Sequence, residues 1–176
     1  IYTILFVGRR QMCKETDNTL TNNNVSYHKR VGIYIASSIN STITGGTVRN
    51  NSYSPIDTTD AGITVLATAD SNTITGVSIF NNSQNGIYLA ANYTNIFSNT
   101  LWNNSWDGIY LSSSRSNTLW NNTIRNNTLI GINLSASQYN RIDANKISNH
   151  TAVAVPEVLS SSGVFLFGSD HTIVIN

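Results

Sequence analysis

The sequence predicts an all-β chain wound as a right-handed, single-stranded parallel β-helix, a solenoid of about six to seven coils of 22–24 residues. Three observations predict it. A Gly-Ile-Tyr-aliphatic tetrapeptide recurs at a near-constant period. Apolar residues alternate within short segments. Asparagine returns at fixed places between those segments.

The tetrapeptide stands at Gly32, Gly86 and Gly108, with variants at Gly62, Gly131 and Gly163, so the glycines are separated by 30, 24, 22, 23 and 32 residues. Ten to twelve residues after each glycine comes an aliphatic anchor: Ile43, Ile74, Ile96, Leu119, Ile142 and Ile173. Five residues later comes a second: Val48, Ile79, Leu101, Ile124 and Ile147. Leu20 and Val25 make an earlier partial coil leading to Gly32. Within segments the apolar residues alternate, as in Ile33/Ile35, Ile87/Leu89 and Ile109/Leu111, which is the period of a strand. A single coil cannot bury its apolar side, but a stack of coils builds one core. The two long spacings read as excursions at one corner, around residues 53–60 and 153–158, each marked by a proline.

Asparagines align when the coils are superposed: Asn99, Asn122 and Asn145 at one turn, Asn18, Asn72, Asn117 and Asn140 at another, Asn51, Asn82, Asn104 and Asn127 at a third. Asn tolerates left-handed backbone and hydrogen-bonds its own turn. Stacked amides can also bond along the axis, as in cross-β ladders. These residues are expected to be structural.

Composition narrows the function classes. Of 176 residues 40% are hydrophobic, enough for a core, and only 11% are charged, against about 25% in an average domain. The net charge of +1 leaves no footprint for nucleic acid or an anionic membrane. The longest apolar run, residues 1–8, is far short of the ~20 residues of a membrane span. One cysteine, Cys13, beside Met12, excludes an internal disulfide and supplies no recognisable metal spacing. Residues 1–16 are expected to be an N-terminal strand or partial cap, and residues 17–176 the solenoid. Both ends read as apolar and uncapped, which fits either a piece of a longer solenoid or end-to-end stacking of copies. The expected partners are therefore the chain itself or flanking domains.

The Gly108-Ile109-Tyr110-Leu111 and Asn117-Thr118-Leu119 repeats resemble those of the NosD-like family and of the wider carbohydrate-binding and sugar-hydrolase (pectate-lyase-like) β-helix group, over roughly residues 17–176. The resemblance implies the fold. The activities it implies range from polysaccharide lyases and hydrolases to a periplasmic copper-maturation protein and cell-surface proteins, so fold does not settle function.

Glycoside hydrolysis needs two carboxylates about 5–10 Å apart. The acids singled out are Asp57, Asp60 and Glu157, all on the excursions and with no evident partner, and the linear catalytic motifs of the pectin-acting enzymes are absent. His28, His150 and His171 read as lying at different coil positions, which disfavours a metal site. No catalytic residue, metal or cofactor is expected. The residue after each anchor points outward, giving stripes of Arg49, Phe80, Trp102 and Arg125, of Phe97 and Trp120, and of Tyr34, Tyr88, Tyr110 and Phe165, with Trp106 on a turn. Phe80, Trp102, Trp120, Tyr88, Tyr110 and Trp106 are the candidate surface for carbohydrate or a partner. Asn-x-Ser/Thr sequons at Asn24, Asn40, Asn50, Asn81, Asn92, Asn103, Asn121, Asn126, Asn133 and Asn149 are candidate N-glycosylation sites. The expected function is that of a non-enzymatic extracellular or cell-surface structural protein: a surface layer, sheath, adhesin or filament component. The alternative is a polysaccharide-binding or polysaccharide-processing β-helix that uses the aromatic stripes.

Overall fold

The computed structural model describes residues 4–7, 15–55, 57–151 and 162–175. Met12, Cys13 and the second proline excursion, with Glu157, lie outside them. Short strands of three to five residues fall into three long parallel sheets, and Glu15–Thr16 pairs with Ser38–Ile39 in a separate two-stranded one. The first runs through Ile4–Val7, Ile33–Ala36, Ala61–Val65, Asn85–Leu89, Ile109–Ser112, Ile132–Ser135 and Val164–Phe167. The second runs through Thr19–Thr21, Thr42–Thr44, Thr73–Thr75, Asn95–Phe97, Thr118–Trp120, Arg141–Asp143 and Ile173–Ile175. The third runs through Asn24–Ser26, Thr47–Arg49, Ser78–Phe80, Thr100–Trp102, Thr123–Arg125 and Lys146–Ser148. Each coil gives one strand to each sheet, and every neighbour in a sheet is one coil away. This is a parallel β-helix.

The core follows from strand alternation. Each strand of the second and third sheets carries one inward anchor, and the anchors pair in register: Ile43 with Ile74, then Ile96, Leu119 and Ile142. These anchors and Ile63, Ile87, Ile109 and Ile132 of the first sheet are 0–2% exposed. Full burial of such a side chain stabilises by about 1.5–3 kcal/mol, so the column of aliphatics is the main source of cohesion between coils.

The asparagine ladders are observed as hydrogen-bonded columns. Asn51 donates its backbone N–H and its side-chain Nδ2 to Oδ1 of Asn82, Asn82 likewise to Asn104, and Asn104 to Asn127, at 3.0–3.2 Å. A second column joins Asn99, Asn122 and Asn145 in the same way. The third, Asn18 to Asn140, is broken by Ser41 and Thr94, whose backbone N–H groups donate to Asn72 and Asn117. The glycine column packs against the first ladder. A Cβ on Gly32, Gly62, Gly86, Gly108 or Gly131 would lie 2.5–2.8 Å from the carbonyl oxygen of the next glycine in the column. For the first four it would also lie 2.7–2.9 Å from a ladder amide. The two sequence repeats are thus halves of one packing device.

Candidate functional site

The histidines correct the sequence reading. Asn51, Asn82, Asn104 and Asn127 each follow a third-sheet anchor by three residues, and so do His28 and His150. The two histidines therefore cap opposite ends of one ladder. The backbone N–H of His28 donates to Oδ1 of Asn51, and both ring nitrogens of His150 are buried without a hydrogen-bond partner. Burial holds both imidazoles below their ordinary pKa. They do not converge, and among the described residues no group of three or more His, Cys, Asp or Glu side chains could hold a metal ion.

The outward aromatics stack on one another. Phe80 and Trp102 lie 4.2 Å apart and 9° from parallel, with the Arg125 guanidinium 5.5 Å above Trp102. Phe97 and Trp120 stack at 4.8 Å. One coil step brings neighbouring rings to stacking distance, so most ring faces are spent on self-association and the edges are left to the outside. Of the tryptophans Trp120, 40% exposed, and Trp106, 36% exposed, present the most surface.

The first sheet differs. The column on the side away from its core is Tyr34, Thr64, Tyr88, Tyr110, Asn133 and Phe165, all in register, with Thr64 and Tyr88 themselves buried. Tyr88 and Tyr110 meet edge to face at 5.6 Å. The corner leading into this sheet concentrates polar and charged groups. Arg30 reaches Asp57 at 2.7 Å and the buried Asp60 at 2.9 Å. The Asp57 carboxyl is held below its ordinary pKa, chiefly by the hydrogen bond from the Thr59 hydroxyl. Burial pushes the Tyr34 phenol up, and Arg30 opposes that shift. Gln84 donates its Nε2 to the Asp57 carbonyl at 3.0 Å.

One coil further along sits Asp107, 5% exposed. Its backbone N–H donates to Oδ1 of Asn85 at 3.1 Å. Its own Oδ1 accepts the Ile130 N–H at 3.0 Å, and its Oδ2 accepts Nδ2 of Asn133 at 2.8 Å. Burial raises its pKa to about 6, with the Asn133 and Ile130 hydrogen bonds pulling the other way. Around it three buried amide atoms have no partner: Gln84 Oε1, Asn85 Nδ2 and Asn133 Oδ1. Such a cluster sets a proton carrier poised near neutrality among buried, unpaired amide atoms beside the tyrosine column.

Sequence reasoning missed Asp107 because it looked for paired carboxylates and linear motifs. The signal was the column: the residue before each of the first five repeat glycines is Val31, Ala61, Asn85, Asp107 and Ile130, a buried position where a carboxylate is out of place. Of the carbohydrate candidates, Tyr88 and Tyr110 stand on this face and Trp106 adjoins Asp107, whereas Phe80, Trp102 and Trp120 lie on the other two sheets. The sequon residues divide similarly. Asn50, Asn81, Asn103, Asn126 and Asn149 form one corner column in left-handed backbone, with φ of 53–56°. Asn40 and Asn121 are also left-handed at 54°. Asn24 is exposed, Asn92 donates its backbone N–H to Asp70, and Asn133 is tied to Asp107.

Residues 12–176 match the family described as a right handed beta helix region. Comparison with curated proteins finds no match. Among solved structures the chain is similar to the periplasmic alginate epimerase AlgG, with a TM-score of 0.64 and 16% identity over 89% of this chain and 40% of that one. It is also similar to the A-module of the mannuronan C-5 epimerase AlgE4 of Azotobacter vinelandii, with a TM-score of 0.55 and 11% identity over 92% of this chain and 56% of that one. The chain thus spans between two-fifths and just over half of the structures it matches, and the likeness is one of fold. These neighbours correct the expectation of a chain without catalysis, since both are epimerases. The physical reason is that coils bring side chains together across 22–24 residues, so an acid–base set on this fold needs no linear motif. Among the described residues no helix is long and apolar enough to cross a membrane.

Proposed function

We propose that this chain, which belongs to the right-handed β-helix family, binds and processes polysaccharide outside the cytoplasm, on the face formed by Tyr34, Thr64, Tyr88, Tyr110 and Asn133. The observation that carries the reading is Asp107: a buried carboxyl with its pKa raised to about 6, one hydrogen bond from a side chain on that face. Asp107 would exchange a proton with the substrate, with the Asn133 amide orienting its carboxyl. Tyr34 and Tyr110, the half-buried tyrosines of the column, would pack against sugar rings and supply phenolic donors. The polymers named for the structural neighbours, alginate and mannuronan, are the first substrates to try.

The experiment is incubation of the chain with alginate, polygalacturonate, xylan and dextran, followed by proton NMR of the sugars. Chain cleavage, an unsaturated product or inverted stereochemistry at one ring carbon is the expected result with one of the polymers. Turnover should fall by about 10²-fold or more in Asp107→Asn. No change in any polymer, or full turnover by the variant, removes this reading.

A further inference from the structure

The third sheet carries a surface that the processing reading does not use. Two columns face outward on it: Thr47, Ser78, Thr100, Thr123 and Lys146 in one, Arg49, Phe80, Trp102, Arg125 and Ser148 in the other, each in register from coil to coil. No Asp or Glu stands at an outward position of this sheet. None of Arg49, Arg125 and Lys146 enters an ion pair among the described residues. The guanidinium of Arg49 lies 5.6 Å over Tyr27 and that of Arg125 lies 5.5 Å over Trp102, within cation–π range. A guanidinium over a ring face keeps N–H donors for an anion. The bordering corner adds the left-handed column Asn50, Asn81, Asn103 and Asn126. Hydroxyls, cations and amides thus run as parallel rows along the coil axis.

We propose that this face binds a linear anionic polysaccharide laid along the axis, with Arg49, Arg125 and Lys146 holding its carboxylate or sulfate groups and the Thr and Asn rows meeting its hydroxyls. The two arginines are three coils apart, roughly 14 Å at about 4.8 Å per coil, so an extended polymer reaches both and a monosaccharide does not. A neutral glycan would be held by ring faces, and the Phe80–Trp102 stack has closed them against each other. A nucleic acid would call for open rings for its bases and many more phosphate contacts than three cations supply. The proposal does not rest on chemistry at the tyrosine face, which lies on another side of the coil.

Binding is measured by calorimetry with polygalacturonate and dextran sulfate against neutral dextran, at low salt and at 0.5 M salt, with duplex DNA as competitor. The two charged polymers separate carboxylate from sulfate recognition. Binding of at least one, weakened by salt, is expected, with none of dextran. The Arg49→Gln/Arg125→Gln double variant should bind about tenfold more weakly, with its melting curve confirming the fold. Should that variant misfold, Lys146→Gln, outside the stack, carries the test with an expected loss of about twofold. Wild-type affinity in the folded arginine variant, equal binding of dextran, or displacement by DNA at lower concentration would each overturn the proposal.

Discussion

Replacing Asp107 by Asn tests whether the carboxyl is there for stability or in spite of it. Its pKa in the folded chain is about 6, against about 3.9 for an unconstrained aspartate. The folded chain therefore holds this proton more tightly than the unfolded chain. The proton's contribution to stability is fully present below pH 4 and is lost as pH rises through 6. A difference of about two pH units at ~1.4 kcal/mol each means that the ionised group costs roughly 3 kcal/mol at pH 7.5. Asn keeps the Oδ1 that accepts the Ile130 N–H, and it can turn an N–H toward the unpaired Oδ1 of Asn133. Asn85 already fills the same role one coil earlier without a charge. Asp107→Asn should thus stabilise the chain by about 1–3 kcal/mol at pH 7.5, raising Tm by about 2–4 °C for each kcal/mol, and by about 2 kcal/mol less at pH 4.5, where the folded carboxyl is still protonated. Thermal melts at both pH values, run beside the turnover assay, give the comparison. A variant less stable than wild type at pH 7.5, or equally stabilised at both, would refute the reasoning.

Two further substitutions probe the scaffold. Asn104→Ala removes the acceptor for both the backbone N–H and the Nδ2 of Asn82, two buried donors, and should cost about 2–4 kcal/mol in denaturant melts. Its exposed neighbour Asn103, left-handed at φ 53°, should lose only about 1–2 kcal/mol on the same change, so equal losses would dismiss the ladder as a special source of cohesion. Gly108→Ala places a Cβ 2.7 Å from the Gly131 carbonyl and 2.9 Å from the Asn127 amide. A loss of about 1–3 kcal/mol is expected, and an unchanged melt would show that successive coils are not held as closely as described.

The scaffold was legible in the sequence because each of its parts is a local rule repeated in register. Alternation marks the strands, and the anchors Ile74, Ile96 and Leu119 sit one coil apart because the fold admits one spacing. The ladder asparagines were legible for the same reason. The histidine positions were not, because the excursion after His150 lengthens the distance to the next repeat glycine; counted from Val25 and Ile147 instead, His28 and His150 fall into line with the asparagines. The aromatic stripes were legible as columns but not as surfaces. Whether Trp102 offers a face or an edge is decided by the ring one coil away, and Phe80 lies flat on it. Asp107 was invisible to a search for pairs because its partners, Asn85 and Asn133, are amides on neighbouring coils.

In a repeat fold, function is to be sought where a column is interrupted at a cost. A column that continues, such as Asn82, Asn104 and Asn127, is explained by cohesion. The column Val31, Ala61, Asn85, Asp107 and Ile130 is not, because nothing about packing asks for a carboxyl between an amide and an isoleucine. Asn at that position would supply the same hydrogen bond to Ile130 without the burial penalty. The third sheet shows a milder interruption: a column headed and ended by Arg49 and Arg125 around an aromatic pair, on a face with no acid to balance them. Neither arrangement lowers the energy of the stack as far as an Asn, Ser or Thr would at the same place. The second sheet carries a break of its own, in Phe97, Trp120 and Asp143, but there the acid is balanced by Arg141 at 2.6 Å, so no net charge is left on that face as it is on the third.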